Sequence, residues 1–276
     1  MKFAQIYKNI LPHEILWLAF FGILLIRLLF FGGYEFSVFC AVCIGAIVYN
    51  ISSKSQILRF GFYVVLMNLI FVLLRYISPF INPSGKKDAF LYSVDCALFG
   101  DFAGLYLQKF HSEILTEIFA FFYLLFLPQL LFFFIYYIVK KNLTQKFYTG
   151  LMSLYAIGFL GYIFVPAIGP YEFLAPKFHS PLQGYFFYDL LNENYAKGSN
   201  LTDVFPSLHC GVSCFILLFN FKFDKKQFRI WLIPTLLLWV STVYLHYHYL
   251  IDCIVGIMLA TICFYCVKGK NEYIKI

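Results

Sequence analysis

Residues 114–139 read ILTEIFAFFYLLFLPQLLFFFIYYIV, 26 residues with Glu117 as the only charge. A helix rises about 1.5 Å per residue, so roughly 20 mostly apolar residues cross the ~30 Å hydrocarbon core of a bilayer. This stretch predicts a membrane helix. Seven more stretches read the same way, at 14–31, 36–51, 60–79, 147–166, 206–221, 230–247 and 248–267. The expected fold is all-α, a polytopic membrane bundle of about eight transmembrane helices. Composition points the same way, with 62% hydrophobic and 13% charged residues, whereas a soluble domain carries roughly a quarter charged. Aromatic side chains, 22% of the chain, suit lipid contact and the bilayer interface.

The net charge of +7 does not form one basic patch, so no nucleic-acid partner is expected. The basic residues fall between the apolar runs, as topogenic charges do. With the N-terminus (Lys2, Lys8) placed in the cytoplasm, the other cytoplasmic connections hold Lys54 and Arg59; Lys140, Lys141 and Lys146; Lys222, Lys225, Lys226 and Arg229; and Lys268, Lys270 and Lys275. These are 14 of the 21 basic residues. Both termini are therefore expected in the cytoplasm, with Arg27 snorkelling from the end of the first helix. The first stretch reads as a retained helix, since no small-residue cleavage site follows Arg27-Leu-Leu-Phe-Phe.

Eight cysteines raise the question of disulfides or metal. Cys40, Cys43, Cys210, Cys214, Cys253, Cys263 and Cys266 lie in or beside apolar runs, where a thiol acts as a small hydrophobe, and Cys96 stands apart. Cys263-x-x-Cys266 has metal spacing without a second pair of ligands. Neither a disulfide framework nor a metal site is expected.

Two long connections, about 80–113 and 167–205, fall on the outer side in this topology. The first, with Asp88, Asp95, Gly100 and Asp101, is too polar to span and too apolar to float free, so it is expected along the interface. The second opens with Val165-Pro166-Ala-Ile-Gly169-Pro170-Tyr171, which ends a helix and turns the chain. The expected division is therefore N-terminal helices in 1–80, an interfacial segment in 81–113 and a catalytic core in 114–276.

Chemistry concentrates in two places. Val204-Phe205-Pro206-Ser207-Leu208-His209 opens the sixth stretch. Pro206 suits a first helical turn, and a helix N-terminus with its unbonded N–H groups favours phosphate. Ser207 adds a hydroxyl, and His209 supplies a proton near neutral pH. The other place is Ser241-Thr-Val-Tyr-Leu-His246-Tyr-His248-Tyr-Leu-Ile-Asp252. His248 and Asp252 share one helical face, so the carboxylate is expected to hold one ring nitrogen and leave the other to attack. An acid in a membrane helix is costly unless paired and marks a functional site by default. His246 is read as structural. Together the residues form a phosphoryl-transfer device: His248 attacks phosphorus, His209 protonates the leaving oxygen, and Ser207 with backbone N–H groups stabilises the transferring oxygens. No carboxylate cluster for two metals is visible, so neither metal nor cofactor is expected.

These residues resemble the type 2 phosphatidic acid phosphatase superfamily. Its second motif, Pro-Ser-x-His, matches Pro206-Ser207-Leu208-His209. Its third, Ser-Arg, five residues, His, three residues, Asp, is similar to Ser241, Thr242, five residues, His248, three residues, Asp252. The resemblance implies His248 as nucleophile, Asp252 as its partner and His209 as acid and base. Ser207, Ser241 and Thr242, with the turn at Gly169, Pro170 and Tyr171, are implied near the phosphate. Thr242 replaces the arginine of the third motif, and the Lys-x6-Arg-Pro first motif is not found. Phe-Pro-Ser-Leu-His, Ser-Thr before the His-Tyr-x-x-Asp helix, the 166–171 turn and Asp95-Cys-Ala-Leu-Phe-Gly100 look like the inositol phosphorylceramide synthase branch.

That resemblance implies membrane lipids as partners, a phospholipid donor with ceramide or another lipid alcohol as acceptor, at the periplasmic or luminal leaflet. If the outer side is a lumen, Asn200-Leu-Thr202 is a glycosylation sequon. Two other readings stay open: a lipid phosphate or prenyl diphosphate phosphatase, and a transporter with a His/Asp proton relay. Outer-side cations available to the phosphate are Arg75, Lys109, Lys177 and Lys197.

Overall fold

The computed structural model describes residues 10–82, 85–198 and 202–269, and every regular element among them is helical. Eleven helices carry the fold: α1 Pro12–Phe31, α2 Tyr34–Ile51, α3 Gln56–Ile81, α4 Asp88–Phe99, α5 Glu113–Leu124, α6 Phe126–Val139, α7 Lys141–Phe164, α8 Phe186–Gly198, α9 Leu208–Phe223, α10 Lys225–Tyr244 and α11 Leu250–Lys268. Shorter turns lie at Ala103–Leu107 and Pro170–Phe173. Lys2, Lys8, Lys270, Lys275 and the sequon's Asn200 lie outside the described residues, as does the side chain of Lys197.

Local chemistry sets many of the boundaries. Pro12 stands in the first turn of α1, and Gly32 ends that helix in the left-handed region at φ 90°, a conformation open to glycine at little cost. Ser55, Ser112 and Asp224 cap α3, α5 and α10 by accepting N–H groups of Leu58, Leu115 and Gln227.

Among the described residues, six segments are long and apolar enough to cross a membrane: α1, α2, α3, α5 with α6, α7 and α11. The eight expected stretches exceed this by two. The stretch at 206–221 is α9, a shorter apolar helix of 16 residues. The stretch at 230–247 is α10, whose first turns carry Lys225, Lys226, Gln227 and Arg229. The expected interfacial segment holds two helices, Asp88–Phe99 and Ala103–Phe110, bent by 64° and together apolar enough for a broken span or a re-entrant loop.

Helix α7 is the central post, with most of its residues buried, packed against α1, α3, α6, α9 and α11. Trp17 Nε1–H donates to the Met152 carbonyl at 3.1 Å, and Phe159 meets Trp17 and Phe20. Small residues bring the second layer in, since lipid supplies no hydrophobic drive and close backbone approach must do that work. An added Cβ on Gly158 would lie 2.6 Å from Leu208 Cδ2, and one on Gly256 only 2.3 Å from the Ser207 carbonyl oxygen. Helices α9 and α11 therefore touch backbone to backbone at the end where both begin.

Two charges find partners within the bundle. Arg59, counted as a loop residue, is buried in α3, its guanidinium 2.7 Å from each oxygen of the equally buried Glu14. Arg27, expected to snorkel, donates its guanidinium N–H groups to the Ile81 carbonyl and lies over the Phe31 and Phe164 rings. It caps the end of α3, where the last carbonyls lack helical partners.

Candidate active site

The start of α9 builds one half of the site. Ser207 is the N-cap, its Oγ accepting the Cys210 N–H at 3.3 Å, and its own N–H donates to the Asp252 carbonyl at 3.0 Å. His209 follows in the first turn. Its ring lies between Tyr123 and Phe126, with centroids 4.6 and 4.7 Å away, and it is partly buried.

The turn between α10 and α11 builds the other half. Tyr247 and His248 both donate their backbone N–H to the Thr242 carbonyl, at 3.0 and 3.1 Å. That tight return presents His248 to His209. The two rings face each other with His248 Nε2 3.4 Å from His209 Nδ1. The other nitrogen of His248, Nδ1, lies 2.9 Å from the Val204 carbonyl oxygen. A carbonyl accepts only, so Nδ1 carries the proton and Nε2 keeps its lone pair. Burial, with His209 adding to it, holds the His248 imidazole down at about 3, so at neutral pH it is uncharged. A neutral imidazole with its lone pair aimed at a second imidazole is competent for nucleophilic attack.

Asp252 departs from expectation. Its Oδ2 lies 3.7 Å from His248 Nδ1, too far for a hydrogen bond, and instead accepts the Tyr249 N–H at 2.9 Å. An acid at the third helical position folds back on its own helix start, and that geometry takes it from the ring. The Asp252 carboxyl group still lies beside His248, and its Oδ1 is buried without a hydrogen-bond partner.

Ser241 and Thr242 are not brought to the histidines. The Ser241 hydroxyl donates to the Leu238 carbonyl and that of Thr242 to the Trp239 carbonyl, at 2.7 and 2.8 Å. Such back-bonding is the common fate of hydroxyls in apolar helices. Thr242 Oγ1 sits between the thiols of Cys253 and Cys210, at 3.4 and 3.8 Å. Gly169, Pro170 and Tyr171 buttress the catalytic turn. The Tyr171 N–H donates to the His246 carbonyl at 2.7 Å, and its ring meets Tyr247, which meets Tyr123 beside His209. Gly169, at φ 96°, approaches the Tyr247 carbonyl too closely for a side chain. His246, at φ 65°, turns away and stacks on Phe178 at 3.9 Å, in keeping with a structural role.

Of the cation candidates, Lys177 is held on the Tyr92 hydroxyl and Lys109 over the Phe110 ring, and Arg75 lies exposed on α3. All eight cysteines are free. Among the described residues, no group of three or more His, Cys, Asp or Glu side chains is placed to hold a metal. Sequence reasoning missed the Val204 carbonyl and the rings of Tyr123 and Phe126; a backbone oxygen leaves no mark in a sequence, and two aromatics among so many carry no local signal.

A polytopic helical membrane protein with two facing histidines at the tips of adjoining helices is the class defined so far. Residues 89–266 match the family described as the PAP2 superfamily. The chain belongs to that superfamily, which supports phosphatase- or phosphotransferase-type activity on lipids and an integral membrane setting. No curated protein and no solved structure matches the chain.

Proposed function

We propose that this protein transfers a phospho-alcohol headgroup from a phospholipid to a lipid alcohol, as inositol phosphorylceramide synthase does, through a phosphohistidine on His248. The observation that carries the reading is the 3.4 Å approach of His248 Nε2 to His209 Nδ1 with Nδ1 of His248 anchored on Val204. The His248 lone pair forms a P–N bond as the P–O bond to the diacylglycerol-type leaving group breaks, and His209 gives that oxygen its proton. The acceptor hydroxyl then loses its proton to His209, its oxygen attacks phosphorus, and the P–N bond breaks. Asp252 steadies the charge that develops on His248, and Ser207 lies at the helix start where phosphate oxygens are best held.

A phosphodiester carries one negative charge where a prenyl diphosphate carries more. The inward turn of Thr242, at the superfamily's arginine position, favours the donor that needs less cationic help. The N-termini of α9 and α11 share one end of the bundle, and the opposite end gathers basic turns, where Lys140 pairs with Asp224 at 2.5 Å and Lys146 lies over Phe223. That separation supports cytoplasmic termini and a site at the periplasmic or luminal leaflet.

The test is purified protein in vesicles given a phospholipid donor with and without ceramide or diacylglycerol. A new phospholipid or phosphosphingolipid is expected. Release of the free phospho-alcohol would instead make water the acceptor, and inorganic phosphate released from phosphatidic acid given as the donor would make the protein a lipid phosphatase.

A further inference from the structure

The first N–H groups of a helix have no partner within it, and Tyr249, the residue before α11, offers no side-chain acceptor to them. They are satisfied from elsewhere. Asp252 takes the Tyr249 N–H. Asp95 of α4 takes the next two, Oδ2 accepting Leu250 N–H at 2.9 Å and Oδ1 accepting Ile251 N–H at 3.0 Å, from 155 residues upstream. Two turns earlier on the same face of α4, Asp88 accepts the Ile168 and Gly169 N–H groups at 3.0 and 2.9 Å and the Tyr249 hydroxyl at 3.1 Å. Both carboxylates are buried, at 0% and 1% exposure, and each of their four oxygens accepts at least one hydrogen bond.

Buried carboxylates are expensive unless satisfied, and here their bonds converge on the segment that carries His248. Asp95 grips the residues two and three past His248. Asp88 grips the residue next to it and the Gly169 turn packed on Tyr247. We propose that α4 is a positioning element for phosphoryl transfer: Asp95, seconded by Asp88, fixes the start of α11 and so holds His248 Nε2 in register with His209. This rests on His248 being the nucleophile. It also follows that α11, its first three donors occupied, offers no N–H cradle to the phosphate.

The test uses full-length protein with Asp95→Asn and Asp95→Ala, beside Asp224→Asn, which weakens a cap at the far end of the bundle. In Asp95→Asn, which keeps one acceptor oxygen, kcat should fall about 10- to 100-fold with KM within about twofold, as expected for a reactive group misplaced by a fraction of an ångström. Asp95→Ala should fall further. Amide hydrogen exchange across 246–252 should rise in both, with or without substrate, while Asp224→Asn leaves kcat unchanged. Unaltered exchange across 246–252, or a folded Asp95→Asn with wild-type kcat, would overturn the proposal. Should Asp95→Ala fail to fold, Asp95→Asn and the exchange measurement decide alone. Absence of any phosphohistidine in the wild-type protein would instead remove the nucleophile reading and leave the exchange result standing.

Discussion

The carbonyl of Val204 holds His248 by Nδ1 at 2.9 Å, so the residue entering α9 orients the ring that precedes α11. Asp252, at 3.7 Å, stands beside the same ring without a hydrogen bond to it. Asp252→Asn, whose amide oxygen still accepts the Tyr249 N–H, should therefore keep the fold and lower kcat by about one pKa-unit's worth, roughly tenfold. Asp252→Ala should in addition cost ~1 kcal/mol of stability through the lost cap. Melting temperature and kcat measured side by side separate the two effects; equal loss of stability in both variants would contradict this division.

His248 and His209 should fail differently. His248→Ala removes the atom that bonds to phosphorus, so no labelled phosphoenzyme should be trapped from any donor. His209→Ala removes only the proton, worth roughly 10²- to 10⁴-fold. A donor ester with a nitrophenol leaving group needs no such proton, so His209→Ala should still form phosphoenzyme from it at near the wild-type rate. Equal impairment on natural and activated donors would assign His209 another part.

The lowered His248 value has a consequence for acid stability. The unfolded chain takes up this proton near the ordinary value of 6.5, whereas the folded protein does not until about 3. The stability contributed by keeping this ring neutral is fully present above 6.5 and declines as the pH falls toward 3. Melting curves between about pH 7 and pH 4.5 should fall less steeply for His248→Gln than for the wild type. Parallel slopes would mean that other groups set the acid response.

The contact of α9 with α11 allows a steric test. A methyl on residue 256 would stand 2.3 Å from the Ser207 carbonyl oxygen, and backbone cannot swing aside as a side-chain end can. Gly256→Ala should cost about 1–3 kcal/mol and should lower kcat too, because Ser207 and His209 move with the displaced backbone. Full activity at a lowered melting temperature would show that the site tolerates that shift.

Much of the site is written locally, which is why the sequence exposes it. Pro206-Ser207-Leu208-His209 leads into α9 and His248 to Asp252 into α11, so spacing alone puts each group at or beside a helix start. Direction is less legible. Ser241 and Thr242 have the right positions in the chain, but a hydroxyl in an apolar helix turns to the carbonyl one turn back. The partner of His248 is a peptide oxygen 44 residues away, a contact made by the close approach of α9 and α11. The helices themselves are legible in apolar length, yet α9 is short and α10 opens on charges, so span counting gives eight where six meet the full requirement. Asp88 and Asp95 read only as polar marks of an interfacial segment because nothing nearby in the chain tells which distant N–H groups they serve.

The hydrogen bond from Trp17 to Met152 has a practical side. The superfamily match begins at residue 89, which invites trimming the protein to that boundary. Such a fragment would lose the indole clasp on α7 and uncover the Phe159 face that Trp17 and Phe20 seal. The matched region leans on α1 to α3 for its packing, and expression of this protein is better begun with those helices in place.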